Sequence, residues 1–323
     1  MRTTTLGATG LQVSRVAYGT WQLGGDWGAF DEEAATAAVR RARELGVNFF
    51  DTAQAYGFGA SERLLGKALR QDLVRDRDSV VIATKGGVRP AERGGGRDAS
   101  AAFLREGVEQ SLRALDVEHI DLYQVHWPDP RTPAAETAGA LQEMVDEGKV
   151  RHVGVSNYDA EQMAEFAAVR PVETLQPPYH LFRRGIEESV LPYARAHCIG
   201  VLAYSPLASG LLTGRFDENT RFAADDWRSR ATAFTGEALR RNLAVVRRLS
   251  DLARARGIGV SQLAIAWVLA RADVALVGAR SSGNIEASAA AADVDLSEAD
   301  LAEIEEIASD GVPIEGASPE GVA

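Results

Sequence analysis

Phe49-Phe50-Asp51-Thr52-Ala53-Gln54-Ala55-Tyr56-Gly57 is the stretch around which the chain is organised. An apolar run from Val47 to Phe50 stops abruptly at Asp51, and a phenol follows five residues later, just before a glycine. Five residues let the chain leave a strand end, turn over its rim and return Tyr56 to the carboxylate. Taken alone, the simpler account makes Asp51 a turn cap and Tyr56 its packing partner. Two titratable groups at a strand end are also a candidate for proton transfer, and the rest of the chain decides between the accounts.

Outward from this stretch the same beat recurs: a brief apolar run, a polar or Gly-rich break, then an amphipathic segment. The apolar runs are Val16–Tyr18, Val47–Phe50, Val80–Ala83, Ile120–Val125, Val150–Val155, Thr174–Gln176, Gly200–Tyr204 and Val274–Val277. Between them, residues such as Ala35, Val39, Ala42 and Leu45, or Leu104, Val108, Ser111, Leu112 and Leu115, fall at helical spacing. Asp31 and Ser61 are placed to cap two of these helices, and Gly46 to end the first. A helix is expected near Glu187–His197, two more near 237–256 and 261–271, one from about Asn284, and a last one at Glu298–Ser309. Residues 2–13 read as an N-terminal β-hairpin, 207–235 as irregular, and the Gly- and Pro-containing tail from Gly311 as partly mobile.

Eight strand–helix alternations favour a parallel sheet. Their span matches a closed (β/α)8 TIM barrel, for which about 250 residues is typical. A doubly wound sheet is the competitor, but its Gly-rich dinucleotide fingerprint is absent, as is a P-loop. The expected architecture is α/β: one barrel domain over 1–323, with the hairpin before it and additional C-terminal helices after it.

Of the 323 residues, 46% are hydrophobic, enough for a sizeable core. Lys and Arg number 35 against 46 acidic residues, a net charge of −11, which argues against a broad basic surface for nucleic acid. One cysteine excludes an internal disulfide framework and suits a reducing cytosol. The start lacks a signal-peptide core, and the longest apolar run, Leu263–Ala270, is too short for a membrane span. The expectation is a soluble cytoplasmic protein with no membrane partner. His119, His152, His180 and His197 show no metal-ligand spacing, and Cys198 is expected to be a small buried apolar residue.

In such a barrel the C-terminal strand ends share one face, where chemistry sits. Asp51, Lys85 and His126 end the second, third and fourth strands, with Tyr56 on the loop above. Each has an ordinary reading by itself; four together at successive strand ends make a coherent set. Tyrosine's usual pKa of about 10 is high for proton donation at neutral pH, and a nearby ammonium can lower such a value by about 1–3 units. Asp51 can hold Lys85 charged, and His126 can offer a hydrogen bond to a substrate oxygen. None of the four supplies a hydride, so a cofactor must. A hydrolase using paired carboxylates is disfavoured because Asp51 lacks a carboxylate partner at neighbouring strand ends.

FDTAQAYG at 50–57, Thr84-Lys85, DLYQVHWPD at 121–129, GVSNY at 154–158 and YSPLASGLLTG at 204–214 are motifs of one family in that family's order. Over essentially the whole chain the sequence resembles the aldo-keto reductases, in the branch that includes the inositol-operon reductases. The resemblance implies an NADPH-binding barrel without a Rossmann domain that reduces aldehydes or ketones to alcohols. It makes Tyr56 the general acid, Asp51 and Lys85 its supports, and His126 the group that orients the carbonyl. It also implies that Ser156, Asn157 and Gln176 hold the nicotinamide amide, that Tyr204 stacks on the ring, and that Asp51 borders the cofactor. Ser205, Leu207, Gly210, Leu211, Gly214 and Arg215 would fold over the pyrophosphate, and Gly19, Thr20 and Trp21 would line the first loop. Gly278, Arg280, Ser281 and Asn284 would take the adenosine end, with Arg280 favouring NADPH over NADH. Here the chain departs from its branch, with Asn284, Ala287 and Ser288 where Gln, Glu and Asn are usual. Substrate would meet Trp21, Tyr56, His126 and Trp127, with Phe58 or Trp227 as further candidates for an apolar wall. A second implied reading is a nucleotide-binding regulatory protein, as in channel-associated members of the family.

Overall fold

The computed structural model describes residues 1–25, 30–224 and 226–315. It begins with an antiparallel hairpin, β1 (Thr3–Thr5) and β2 (Gln12–Ser14). Eight further strands close into a parallel barrel: β3 (Val16–Gly19), β4 (Phe49–Asp51), β5 (Val81–Gly86), β6 (Ile120–Val125), β7 (Val150–Ser156), β8 (Thr174–Gln176), β9 (Gly200–Ala203) and β10 (Val274–Gly278). The ring closes between β10 and β3, where Gly278 pairs with Gly19; Gly19 in turn pairs with Asp51. This register sets the strand ends level, so side chains distant in sequence emerge side by side.

The helices are α1 (Glu32–Glu44), α2 (Ala60–Arg75), α3 (Ala101–Leu115), α4 (Ala134–Asp146), α5 (Ala160–Ala167), α6 (Val190–Ala196), α7 (Gly236–Ala255), α8 (Val260–Leu269), α9 (Ser282–Ala289) and α10 (Glu298–Ser309). Asp31 caps α1 as expected, its carboxylate accepting from the Glu33 and Ala34 amides. Ser61 does not cap α2. That helix starts one residue earlier, from Gly59 in the left-handed region (φ +92°), and Ser61 turns inward instead. The helix expected from Glu187 shortens to α6, preceded by a 3-10 turn at Gly185–Glu187.

Two apolar layers hold the barrel. Inside it, Ala17, Phe49, Ala83, Leu122, Leu202 and Leu276 fill the lumen, and the hairpin contributes Leu6 and Val13 to the same cluster. Gly7 lies against the backbone of Gly200 at the start of β9, so the hairpin plugs the N-terminal end. Outside the sheet, a larger cluster packs the helices against it, with Phe50, Leu65, Leu104, Leu141 and Trp267 fully buried. At roughly 1.5–3 kcal/mol per fully buried large apolar side chain, this layer dominates the stabilisation.

Cys198 is exposed, in a left-handed turn (φ +54°) before β9. The turn points its side chain away from the core that its residue type would favour. The start of the tail is pinned: the Val312 amide donates to Asn242 Oδ1 (2.7 Å) and the Ile314 amide to the Phe182 carbonyl (2.6 Å). Its remainder lies outside the described residues. Among those described, no helix is long and apolar enough to cross a membrane.

Candidate active site

Lys85, next to last in β5, is fully buried and points into the barrel. Its Nζ lies 2.6 Å from Asp51 Oδ2, donates to the Thr52 carbonyl at 2.9 Å, and donates to the Tyr56 hydroxyl oxygen at 3.3 Å. An ammonium buried this far needs a carboxylate and further acceptors to be tolerated, and the β4 end supplies two of the three. Asp51 Oδ1 accepts from Gln176 Nε2 at 2.8 Å and Gln124 Nε2 at 3.4 Å. His126, the residue after β6, sets its ring edge-on to Tyr56 with centroids 5.8 Å apart. The four residues singled out in sequence therefore meet at one rim.

Beside them runs a cleft of about 280 Å3 along the ends of β3, β4, β8, β9 and β10. It is lined by Gly19, Thr20 and Trp21 after β3, by Asp51 and Tyr56, and by Gln176 and Tyr204. Ser205, Leu207 and Gly210, in the overhang that follows β9, and Gly278, Arg280 and Asn284, from β10 to α9, also line it. The overhang is tightly folded: Ser205, Ala208, Ser209 and Gly210 all have positive φ.

Other residues expected at the cofactor stand behind the cleft. Ser156 Oγ donates to the Gln176 carbonyl (2.8 Å). The Asn157 amide bridges the His126 carbonyl (3.0 Å) and the Tyr204 hydroxyl, which donates to it at 2.9 Å. Leu211 is in the core, Gly214 abuts Val260, and Ser281 precedes α9 without capping it. Arg215 donates to Asn284 Oδ1 at 3.0 Å, latching the overhang to α9.

Trp127, expected at the substrate, is buried and not among the residues lining the cleft; the Arg97 guanidinium lies 4.8 Å from its ring centroid. Trp227 lines a second cavity of about 340 Å3 with Pro178, His180 and Phe234, which shares Tyr204 and Ser209 with the cleft. Phe58 is 46% exposed and faces a separate depression with Arg63 and Arg113, so it is no part of the cleft wall.

Sequence reasoning missed Gln22, Ser209 and Arg228 in the cleft lining. Gln22 directly follows Gly19-Thr20-Trp21, which is the signal that could have found it. Arg228 lies in the irregular stretch, where no periodicity exists to place it. It pairs with Asp226 (2.6 Å), donates to the Ser209 carbonyl (3.1 Å) and stands 4.5 Å over Phe222.

These residues fit an elongated anionic nucleotide. Gln22 lays its amide against Gly278, and Gln22 Oε1 is buried without a partner among the described residues. Arg280 is exposed in the cleft lining and makes no ion pair with a described residue.

The barrel matches what comparison shows: residues 15–309 fit the model of the Aldo/keto reductase family, and the chain belongs to that family. It is 45% identical over 291 residues to the aldo-keto reductase YhdN of Bacillus subtilis, covering 89% of this chain and 87% of that protein. It is 32% identical to the NADH-specific methylglyoxal reductase of Escherichia coli, over 95% of this chain and 98% of that one. Among solved structures, the glycerol dehydrogenase of Gluconobacter oxydans superposes with a TM-score of 0.89 at 39% identity, over 99% of both chains.

Proposed function

We propose that this chain reduces aldehydes or ketones to alcohols with a nicotinamide dinucleotide, NADPH in preference to NADH, and that Tyr56 gives the carbonyl oxygen its proton. The observation that carries the reading is the Lys85 ammonium bonded to Asp51 and Tyr56 together at the edge of the cleft. The bound cofactor supplies the hydride that the carbonyl carbon receives. The protein's own task is the oxygen, on which negative charge develops as that bond forms.

Tyr56 releases its hydroxyl proton to this oxygen, and Lys85 stabilises the negative charge left on the phenol by the hydrogen bond it already donates. Asp51 keeps the amine charged and aimed. His126, beside the Tyr56 ring, orients the carbonyl. Such general acid assistance is worth about 10²–10⁴-fold in rate. Arg280 supports the NADPH preference, because an exposed guanidinium that lines the cleft and makes no ion pair with a described residue suits an added phosphate. Trp21 lines the cleft where a small carbonyl substrate would sit, and Trp127, next to His126 in the chain, is a further candidate contact.

The test follows the loss of reduced-cofactor absorbance with a panel of small aldehydes, ketones and 2-oxoaldehydes, for NADPH and NADH separately. Turnover with NADPH favoured is expected. Tight cofactor binding without turnover of any carbonyl would replace this reading with a regulatory one.

A further inference from the structure

The first turn of α2 carries two side chains that the mechanism above does not use, Ser61 and Glu62, both fully buried. Ser61 Oγ bonds Thr20 Oγ1 at 2.7 Å and lies 3.1 Å from Thr52 Oγ1. Thr20 follows β3 and borders the cleft, and Thr52 follows β4 and lends its carbonyl to Lys85. Glu62 Oε1 accepts from Thr84 Oγ1 at 2.6 Å, and Thr84 immediately precedes Lys85 in β5. Alternation along the strand sends Thr84 outward to the helix and Lys85 inward to the site. On the other flank of Lys85, the Tyr123 hydroxyl lies over the bare Cα of Gly86.

A carboxyl is an expensive choice here. Gln54 Oε1 and the Tyr123 hydroxyl are buried with no partner among the described residues. Burial pushes the Glu62 carboxyl above its usual range, although hydrogen bonding with Thr84 and Ser111 and the charges of Arg63 and Lys85 pull the other way. An apolar residue of similar size would avoid that desolvation cost, so packing does not account for the acid.

We propose that the Ser61–Glu62 turn is a clamp on three adjacent strand ends that aims the Lys85 ammonium at Tyr56, with Glu62 and Thr84 as its positioning residues. The inference rests on the reductase reading for its kinetic consequence, but the geometry it concerns exists without turnover. The charged or titratable groups facing Lys85 and Tyr56 are Asp51 at the end of β4, His126 after β6 and Glu62 on α2.

The test uses Thr84→Val, which removes the donor at nearly constant shape, together with Glu62→Leu and Glu62→Gln in the full chain. Three quantities are read: the pH profile of kcat, the cofactor Kd by fluorescence quenching, and the ultraviolet titration of the Tyr56 phenol, taken as the difference from the same variant carrying Tyr56→Phe. Thr84→Val should lower kcat about tenfold and raise the phenol titration by about one unit, one unit being a factor of ten, with cofactor Kd within about twofold. Glu62→Leu should do the same, and Glu62→Gln, which keeps an acceptor for Thr84, should recover part of the loss. A folded Thr84→Val protein with an unshifted phenol titration overturns the clamp, whether or not kcat falls. Should Glu62→Leu not fold, Thr84→Val decides alone. A wild type that turns over no carbonyl removes the reductase reading, and the titration still judges the clamp.

Discussion

Tyr56 and Arg280 both line the cleft, and they fail in different ways. Tyr56→Phe removes one oxygen from a packed ring. It should lower kcat at least a hundredfold, within the range general acid catalysis supplies, and leave NADPH affinity within about twofold. Steady-state rates beside a fluorescence titration measure both, and retained turnover would exclude Tyr56 as the acid. Arg280→Ala should weaken NADPH about tenfold or more and NADH much less, because only NADPH carries the added phosphate. Equal effects on the two cofactors would remove that assignment. The Asp51–Lys85 pair was legible at this scale because strand ends name their own residues. The bonds of Gln176 and Gln124 to Asp51 were not, since a glutamine shows in sequence no hint of its partner.

Among the connecting elements, the segment after β8 holds a buried histidine with a strongly lowered pKa. His180 is buried, and its Nδ1 accepts from the Phe182 amide at 3.2 Å. Burial, helped by the charge of Arg183, holds its pKa down to about 3. In the unfolded chain His180 takes up a proton near its ordinary value of about 6.5, so unfolding gains a proton below that pH and stability falls as pH drops from about 6.5 toward 3. Urea unfolding of wild type and His180→Phe across this range should show the wild type losing more stability on acidification. Parallel curves would mean the imidazole is protonated in the fold.

Helix and strand positions were readable because apolar periodicity survives in a single sequence. What escaped was direction. Ser61 looked like a cap one residue before a helix, yet Gly59 had already started that helix and freed the hydroxyl for Thr20 and Thr52. The stretch 207–235 has 3-10 turns and an aromatic cluster of Phe216, Phe222, Trp227 and Phe234 instead of a repeating face. Such contacts arise in tertiary packing and leave no period behind.

For the molecule as a whole, the hairpin plug is an exacting fit. Gly7 has φ +49°, and a Cβ there would run into the Cys198 and Gly200 backbones. Gly7→Ala combines left-handed strain of about 1 kcal/mol with a collision that flexible side chains cannot relieve. Thermal unfolding should show Tm lowered by several degrees, while the cleft at the far end keeps its cofactor affinity; an unchanged Tm would mean the plug is loosely seated.

The barrel seam joins β3, near the start of the chain, to β10, near its end, and the ion pair of the Met1 ammonium with Asp293 repeats the same union (3.3 Å). A ribosome releases the chain from its N-terminal side, so β3 must wait, one edge bare, for a partner 259 residues away, from Val16 to Ala275. Contacts that distant in sequence form slowly, and an unpaired strand edge invites association with other chains. The step most exposed to mishap is thus the closing of the barrel, when an incomplete ring has to find its own last stave.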